Sequence, residues 1–136
     1  MEISYCTGIR QGDLLKMSWK DIGETLYIEE GKTDREYLKT VSPRLKYALD
    51  QAKRLPGHPF GGWVIRNRSG NRYTAKGFQA TWKKVKARSP VDFRWHDIRH
   101  KAISDASTGK KQAFSMHRDA KMLGIYDHQL PVSPSH

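Results

Sequence analysis

The spacing of apolar residues changes several times along the chain, and each change predicts an element. Leu14, Leu15 and Met17, set among polar residues between Gly12 and Trp19, predict a short helix that buries one side and stops near Asp21. Two β-type runs follow, Thr25–Ile28 and Tyr37–Val41, separated by Gly31-Lys32-Thr33-Asp34-Arg35. Glycine and aspartate favour a turn there, so the simplest reading is a hairpin with Lys32 near its tip. Ser42-Pro43 reads as an N-cap with proline in the first turn, opening a helix to about Arg54 with Leu45 and Leu49 one turn apart. Pro56-Gly57-His58-Pro59 ends it.

Trp63–Ile65 predicts a short extended piece before the turn-rich Asn67–Asn71. Thr74 caps a further helix in which Phe78, Trp82 and Val85 form a core-facing stripe, with Lys76, Lys83, Lys84 and Lys86 largely off it. Trp95–Ser107 predicts another helix, with Ile98, Ala102 and Ile103 inward and Gly109 just past its end. The last helical pattern spans Lys111 to about Tyr126, with a break near His117 and with Phe114, Met122 and Leu123 apolar. Pro131 and Pro134 then make residues 127–136 an extended tail. Helices with one small hairpin give a mixed α/β (α+β) class, mostly helical.

At 136 residues, one domain is the expectation. Twenty-five Lys and Arg against 14 Asp and Glu give a formal charge of +11, which points to a polyanionic partner, nucleic acid before others. The sequence contains no apolar run long enough to span a membrane and no secretory leader pattern, so no membrane partner is expected. Cys6 is the single cysteine, which excludes an intrachain disulfide and a cysteine-built zinc site and suits a reducing cytoplasm.

Composition stops at a basic α/β domain; particular residues go further. Thr7-Gly8-Ile9-Arg10 with Asp13, Lys32-Thr33, His96-x-x-Arg99-His100, and His117 with Tyr126 occur in that order. In this order and spacing they resemble the catalytic domain of the tyrosine recombinases, the phage-integrase family, from Thr7 to Tyr126. The first segment is similar to that family's first arginine box, Lys32 to its hairpin lysine, His96-x-x-Arg99-His100 to the second box, and His117 with Tyr126 to the third histidine and the nucleophile.

The resemblance implies a site-specific DNA recombinase or integrase, working through a covalent 3′-phosphotyrosine link on double-stranded DNA with no cofactor and no metal. Attack on a phosphodiester builds negative charge on the nonbridging oxygens, and guanidinium forks at Arg10 and Arg99 answer it while staying charged at any working pH. By the same resemblance Tyr126 attacks, His96 accepts its proton, Lys32 protonates the departing 5′ oxygen, and His117 hydrogen-bonds the phosphate. Asp13 and His100 support these groups from behind, and Lys83, Lys84 and Lys86 form a DNA-binding face. The family pattern has glycine where this chain has Met116, just before His117.

Other readings stay open on the residues alone. The hairpin lysine is Lys39 if the register slips. His96 and His100, with Asp97 between them, are spaced like a zinc-hydrolase helix. A basic module that holds DNA without cutting it, a decayed integrase remnant, shares the charge, and a type IB topoisomerase-like relaxation activity shares the chemistry. The resemblance further implies an N-terminally truncated catalytic domain over residues 1–136, without the family's core-binding domain. Full-length relatives act as oligomers on DNA; this segment is expected to be a monomer or weak dimer, prokaryotic or phage in origin.

Overall fold

A computed structural model of the chain describes residues 1–57, 62–106, 114 and 131–136. Its elements are α1 (Glu2–Thr7), α2 (Gln11–Leu15), a 3-10 turn (Trp19–Asp21), β1 (Thr25–Glu30), β2 (Arg35–Thr40), α3 (Pro43–Lys53), α4 (Ala75–Lys86), α5 (Trp95–Asp105) and β3 (Val132–Ser133). The α+β class expected from the pattern is what forms. Both hairpin strands, the Ser42 cap and the Thr74 cap also lie where the sequence puts them: Ser42 Oγ accepts from the Leu45 amide at 3.2 Å and Thr74 Oγ1 from the Gly77 amide at 3.0 Å.

Three expectations need correction. Helix α1 was not anticipated, because its two buried apolar residues, Ile3 and Cys6, are too few to mark a period. Helix α2 ends at Leu15, short of Trp19: the Val64 amide donates to the Met17 carbonyl at 3.0 Å and draws the chain out of helix, though Met17 remains in the core. Val85 is 50% exposed, because the core on that side ends with Trp82, which packs edge-on against Trp95 at 4.9 Å and Phe93 at 5.3 Å. The extended tail carries a pairing that the sequence pattern does not announce. Val132 and Ser133 form a third strand, parallel to β2, so the sheet is mixed in the order β1-β2-β3. The helix pattern from Lys111 to Tyr126 lies outside the described residues, apart from the buried Phe114.

The hairpin register decides which side chains face inward. Pairing Leu26 with Lys39, Ile28 with Tyr37 and Glu30 with Arg35 puts these six on one face, since alternate strand residues share a face. Leu26, Ile28 and Tyr37 join the core formed by Leu14, Leu15, Leu45, Leu49, Phe78, Trp82, Trp95 and Ile98. Glu30 and Lys39 are charged, yet they occupy the same inward face and are 1% and 0% exposed.

Helix α1 stops at Gly8, whose φ of 64° is the left-handed conformation a helix end often needs. Space also demands glycine: a Cβ at this position would stand 2.5 Å from Phe114 Cε1. The turn that follows carries Arg10 at the start of α2.

Candidate active site

Helix α5 starts with the Asp97 carboxylate accepting the Arg94 amide at 2.8 Å. That cap gives Asp97 a structural task and takes away the general-base role it has in the zinc-hydrolase reading. Ile98 and Ala102 anchor one side of α5 in the core, which leaves His96 and His100 outside and turns Arg99 inward to 9% exposure. The Arg99 guanidinium donates through Nη1 to the Gly8 carbonyl. Two arginines separated by 89 positions therefore meet: Arg99 is held on the turn that delivers Arg10, and each sits in the other's electric field.

The hairpin brings further charged groups against Arg10. Arg10 Nη1 lies 3.3 Å from Glu30 Oε1, Arg35 Nη2 lies 3.5 Å from Glu30 Oε2, and Thr33 Oγ1 donates to Glu30 Oε2 at 2.5 Å. Asp13 Oδ1 accepts the Gly31 amide at 3.0 Å, tying α2 to the residue before Lys32. Lys32 itself is exposed in the turn between the strands, as the sequence predicts.

Positive charge exceeds negative in this cluster. Arg10, Arg99 and Arg35 are gathered around two carboxylates, Glu30 and Asp13. Burial first, and then Arg10, pull the Arg99 pKa below the ordinary guanidinium value, although it remains charged at neutral pH. Among the described residues, Arg10 Nη1 and Arg35 Nη1 are buried without a hydrogen-bond partner. Arg10 Nη1 is ion-paired with Glu30 and Arg35 Nη1, among the described residues, is not, so hydrogen-bond capacity remains where positive charge is in excess, which suits a phosphate oxygen.

His96 stands one helical turn before Arg99, and its pKa is lowered by burial and then by His100 and Arg99. A neutral imidazole results, able to accept a proton at neutral pH. The His100 ring meets the His96 ring edge-on at 4.6 Å, so it braces His96 from the outer side of α5. Among the described residues, no group of three or more His, Cys, Asp or Glu is placed to hold a metal ion.

The basic helix α4 adjoins this cluster through Gln79, whose Nε2 donates to Gln11 Oε1 at 2.8 Å, next to Arg10. Lys83 and Lys84 are exposed, whereas Lys86 is half-buried and paired with Asp92 at 2.5 Å. His117 and Tyr126, with Met116, lie outside the described residues. The structure therefore assembles Arg10, Asp13, Arg99 and His96 beside the Lys32 turn.

Lys39 does not serve as an alternative to Lys32. It faces inward and donates to the Phe114 carbonyl at 2.8 Å, Ser133 Oγ at 2.8 Å and the Pro134 carbonyl at 2.9 Å. Glu30, Arg35 and the buried setting of Lys39 were missed in the sequence, although one signal was there. Glu30 follows Leu26 and Ile28 at period two, and Lys39 follows Tyr37; a charged residue at an inward strand position needs a partner.

A model of the phage integrase family matches residues 1–131. The chain is 29% identical over 133 residues to the shufflon-specific DNA recombinase of Escherichia coli, an alignment covering 90% of this chain and 32% of that protein. Its fold is similar to that of lambda integrase in a tetramer bound to a Holliday junction, with a TM-score of 0.72 and 23% identity over 86% of this chain and 38% of that one. The lambda integrase catalytic core gives a TM-score of 0.64 and 24% identity, covering 83% of this chain and 77% of that one. The chain spans about a third of the length of the shufflon recombinase.

Proposed function

Because the chain belongs to the phage integrase family, we propose that it is the catalytic domain of a site-specific DNA recombinase that cleaves and rejoins double-stranded DNA through Tyr126. One observation carries this reading: the Arg99 guanidinium is held on the Gly8 carbonyl, two residues before Arg10, so that each arginine lies in the other's electric field.

In the proposed reaction the Tyr126 oxygen attacks phosphorus and its proton goes to His96, whose lowered pKa suits it to that task. The bond from phosphorus to the 5′ oxygen breaks, and Lys32 supplies the proton which that oxygen needs as it leaves. Arg10, Arg99 and His117 hold the nonbridging oxygens while charge builds on them. The 3′-phosphotyrosyl product keeps the energy of the phosphodiester, so a second 5′ hydroxyl reverses the step. The chemistry needs neither ATP nor a divalent ion, since guanidinium groups supply the charge that metals supply in many nucleases. Lys83 and Lys84 extend the positive surface along the DNA backbone, and the bacterial or phage-infected cytoplasm is the compartment in which such a substrate is met.

The test is covalent trapping on a nicked DNA substrate that loses its leaving fragment. The wild-type chain should form an adduct stable to denaturant and unaffected by chelator, and Tyr126→Phe, which keeps the ring and loses the attacking oxygen, should form none. An adduct with the Phe variant reassigns the nucleophile. Binding without any adduct supports a DNA-holding module instead.

A further inference from the structure

Lys39 occupies a place where an aliphatic side chain is the ordinary choice, opposite Leu26 on the inward face of the hairpin. Its ammonium is nevertheless saturated. One donor goes to the Phe114 carbonyl, one to Ser133 Oγ and one to the Pro134 carbonyl, and the Phe114 ring lies 4.3 Å from the nitrogen. Ser133 Oγ also donates to the Phe114 carbonyl at 3.1 Å, so two residues nineteen positions apart are closed into contact at this one nitrogen. His117 and Tyr126 both fall between them in the sequence.

We infer that Lys39 is a positioning residue for the cleavage reaction, clamping the chain on both sides of the stretch that carries His117 and Tyr126. This rests on the proposed role of Tyr126. An ammonium ion sealed from water is tolerable only with its hydrogen bonds made, and the acceptors come from both flanks. Losing either flank strands the other's share of the ammonium, so Phe114 and residues 133–134 dock as one unit. Fixing both flanks of that stretch against one residue restricts where Tyr126 is delivered, and attack on phosphorus depends steeply on placement.

The tail has further attachments, and they supply a readout independent of activity. The Leu38 amide donates to the Pro131 carbonyl at 2.8 Å, the Ser135 amide to Thr40 Oγ1 at 3.1 Å, and the His136 amide to the Cys6 carbonyl at 3.0 Å. The charged or titratable groups around Lys39 are Arg99 from α5, Glu30 from β1, Tyr37 from β2 and His136, whose ring lies 4.4 Å from that of Phe114.

Lys39→Met keeps the length and apolar stem and removes the donors. Hydrogen exchange in the full chain should speed up by about tenfold or more at the Leu38, Ser135 and His136 amides, the loss of the Lys39 hydrogen bonds being worth that much. Amides inside α3 should hold. Adduct formation on nicked DNA should slow by a similar factor, about tenfold, with DNA affinity unchanged. Ser133→Ala removes a single partner and leaves the ammonium in place, so it should move both readouts in the same direction and by less; it decides the matter should Lys39→Met fail to fold. Unchanged exchange at the three amides, or an unchanged adduct rate in a wild-type background that does form adduct, overturns the clamp. A wild-type chain that forms no adduct defeats the recombinase reading alone, and the exchange result still judges whether Lys39 holds the tail.

Discussion

Two positively charged corners of the molecule, built from the same hairpin face, end with opposite electrostatic states. Around Arg10 and Arg99 the cations outnumber the carboxylates, and Arg10 Nη1, although ion-paired with Glu30, makes no hydrogen bond among the described residues. At Lys39 every ammonium donor is spent on the protein, and no part of the side chain meets solvent. Charge alone therefore does not identify a substrate-binding residue. Hydrogen-bond capacity left unused does, because a guanidinium with free donors gains from a phosphate while a saturated ammonium must first break what it has.

The largest test of that contrast is Arg99→Lys. The substitution keeps the positive charge but loses the planar fork, and with it the ability to donate to the Gly8 carbonyl and to a phosphate oxygen together. Covalent trapping should fall by about 10²- to 10³-fold, the cost of removing one donor aimed at transition-state charge. A lysine variant as active as the wild type means that the open corner does not hold the reacting phosphate.

The sealed corner should respond to pH instead. Burial, then Arg99, push the Lys39 pKa down from 10.5 to about 7, with Glu30 opposing. When the tail undocks and water reaches the amine, its pKa returns toward the ordinary value. Between those two values the docked amine gives up its proton and keeps two N–H donors for its three acceptors, while the undocked one stays charged; relief of the buried charge outweighs the donor lost, so docking strengthens as pH rises, by up to about tenfold per pH unit. Below about pH 7 both states are protonated and the dependence vanishes. Hydrogen exchange at the His136 amide, corrected for its intrinsic pH dependence, should show this gain, and in Lys39→Met the same amide should show none. A gain that survives in the Met variant assigns the proton to another group.

Most of the open corner was legible in the sequence, and most of the sealed corner was not. Arg10, Asp13, Lys32, His96 and Arg99 stand in short local motifs whose residue types announce anion chemistry, and the turn and caps that present them follow local rules. What joins them is non-local. The Arg99 contact with Gly8 spans most of the chain, and no spacing rule reports it. Lys39 looked like a candidate for the phosphate because a lysine near a hairpin reads as exposed; only the strand register turns it inward. The pairing of the extended tail went unforeseen for a related reason. Its prolines correctly argue against helix, but a strand of two residues has no pattern of its own and forms only because the edge of β2 is present to pair with it. Helix α1 was likewise too short for its periodicity to register.

Glu30 lies between the two corners, since it pairs with Arg10 and Arg35 and also feels Lys39. Its carboxylate competes with an incoming phosphate for Arg10. Glu30→Gln removes that competitor while the amide oxygen still accepts from Thr33, so DNA should bind more tightly, by about fivefold, a change of about 1 kcal/mol. The adduct step should slow at the same time, because Arg10 loses the ion pair that fixes its position. Fluorescence-anisotropy titration at one salt concentration, alongside trapping, separates the two effects. Weaker binding would mean that Glu30 acts by organising Arg10 and not by competing for it.

The rule about spent and unspent cations extends to the basic helix, where the expected effect is smallest. Lys83 is exposed, whereas the Lys86 ammonium sits 2.5 Å from Asp92, whose pKa that contact lowers. A phosphate recruiting Lys83 displaces only water and counterions. At Lys86 it must also compete with a carboxylate. Lys83→Ala should therefore lower the slope of log affinity against log salt by about 0.9, or about 3.5-fold in affinity over a fourfold change in salt. Lys86→Ala should change it by less, since the variant loses a cation already partly neutralised and frees Asp92 to repel the backbone only from the rim. Equal slopes for the two variants would show that an exposed ion pair gives way to DNA at no measurable cost, which would confine the distinction between spent and unspent donors to buried groups such as Lys39.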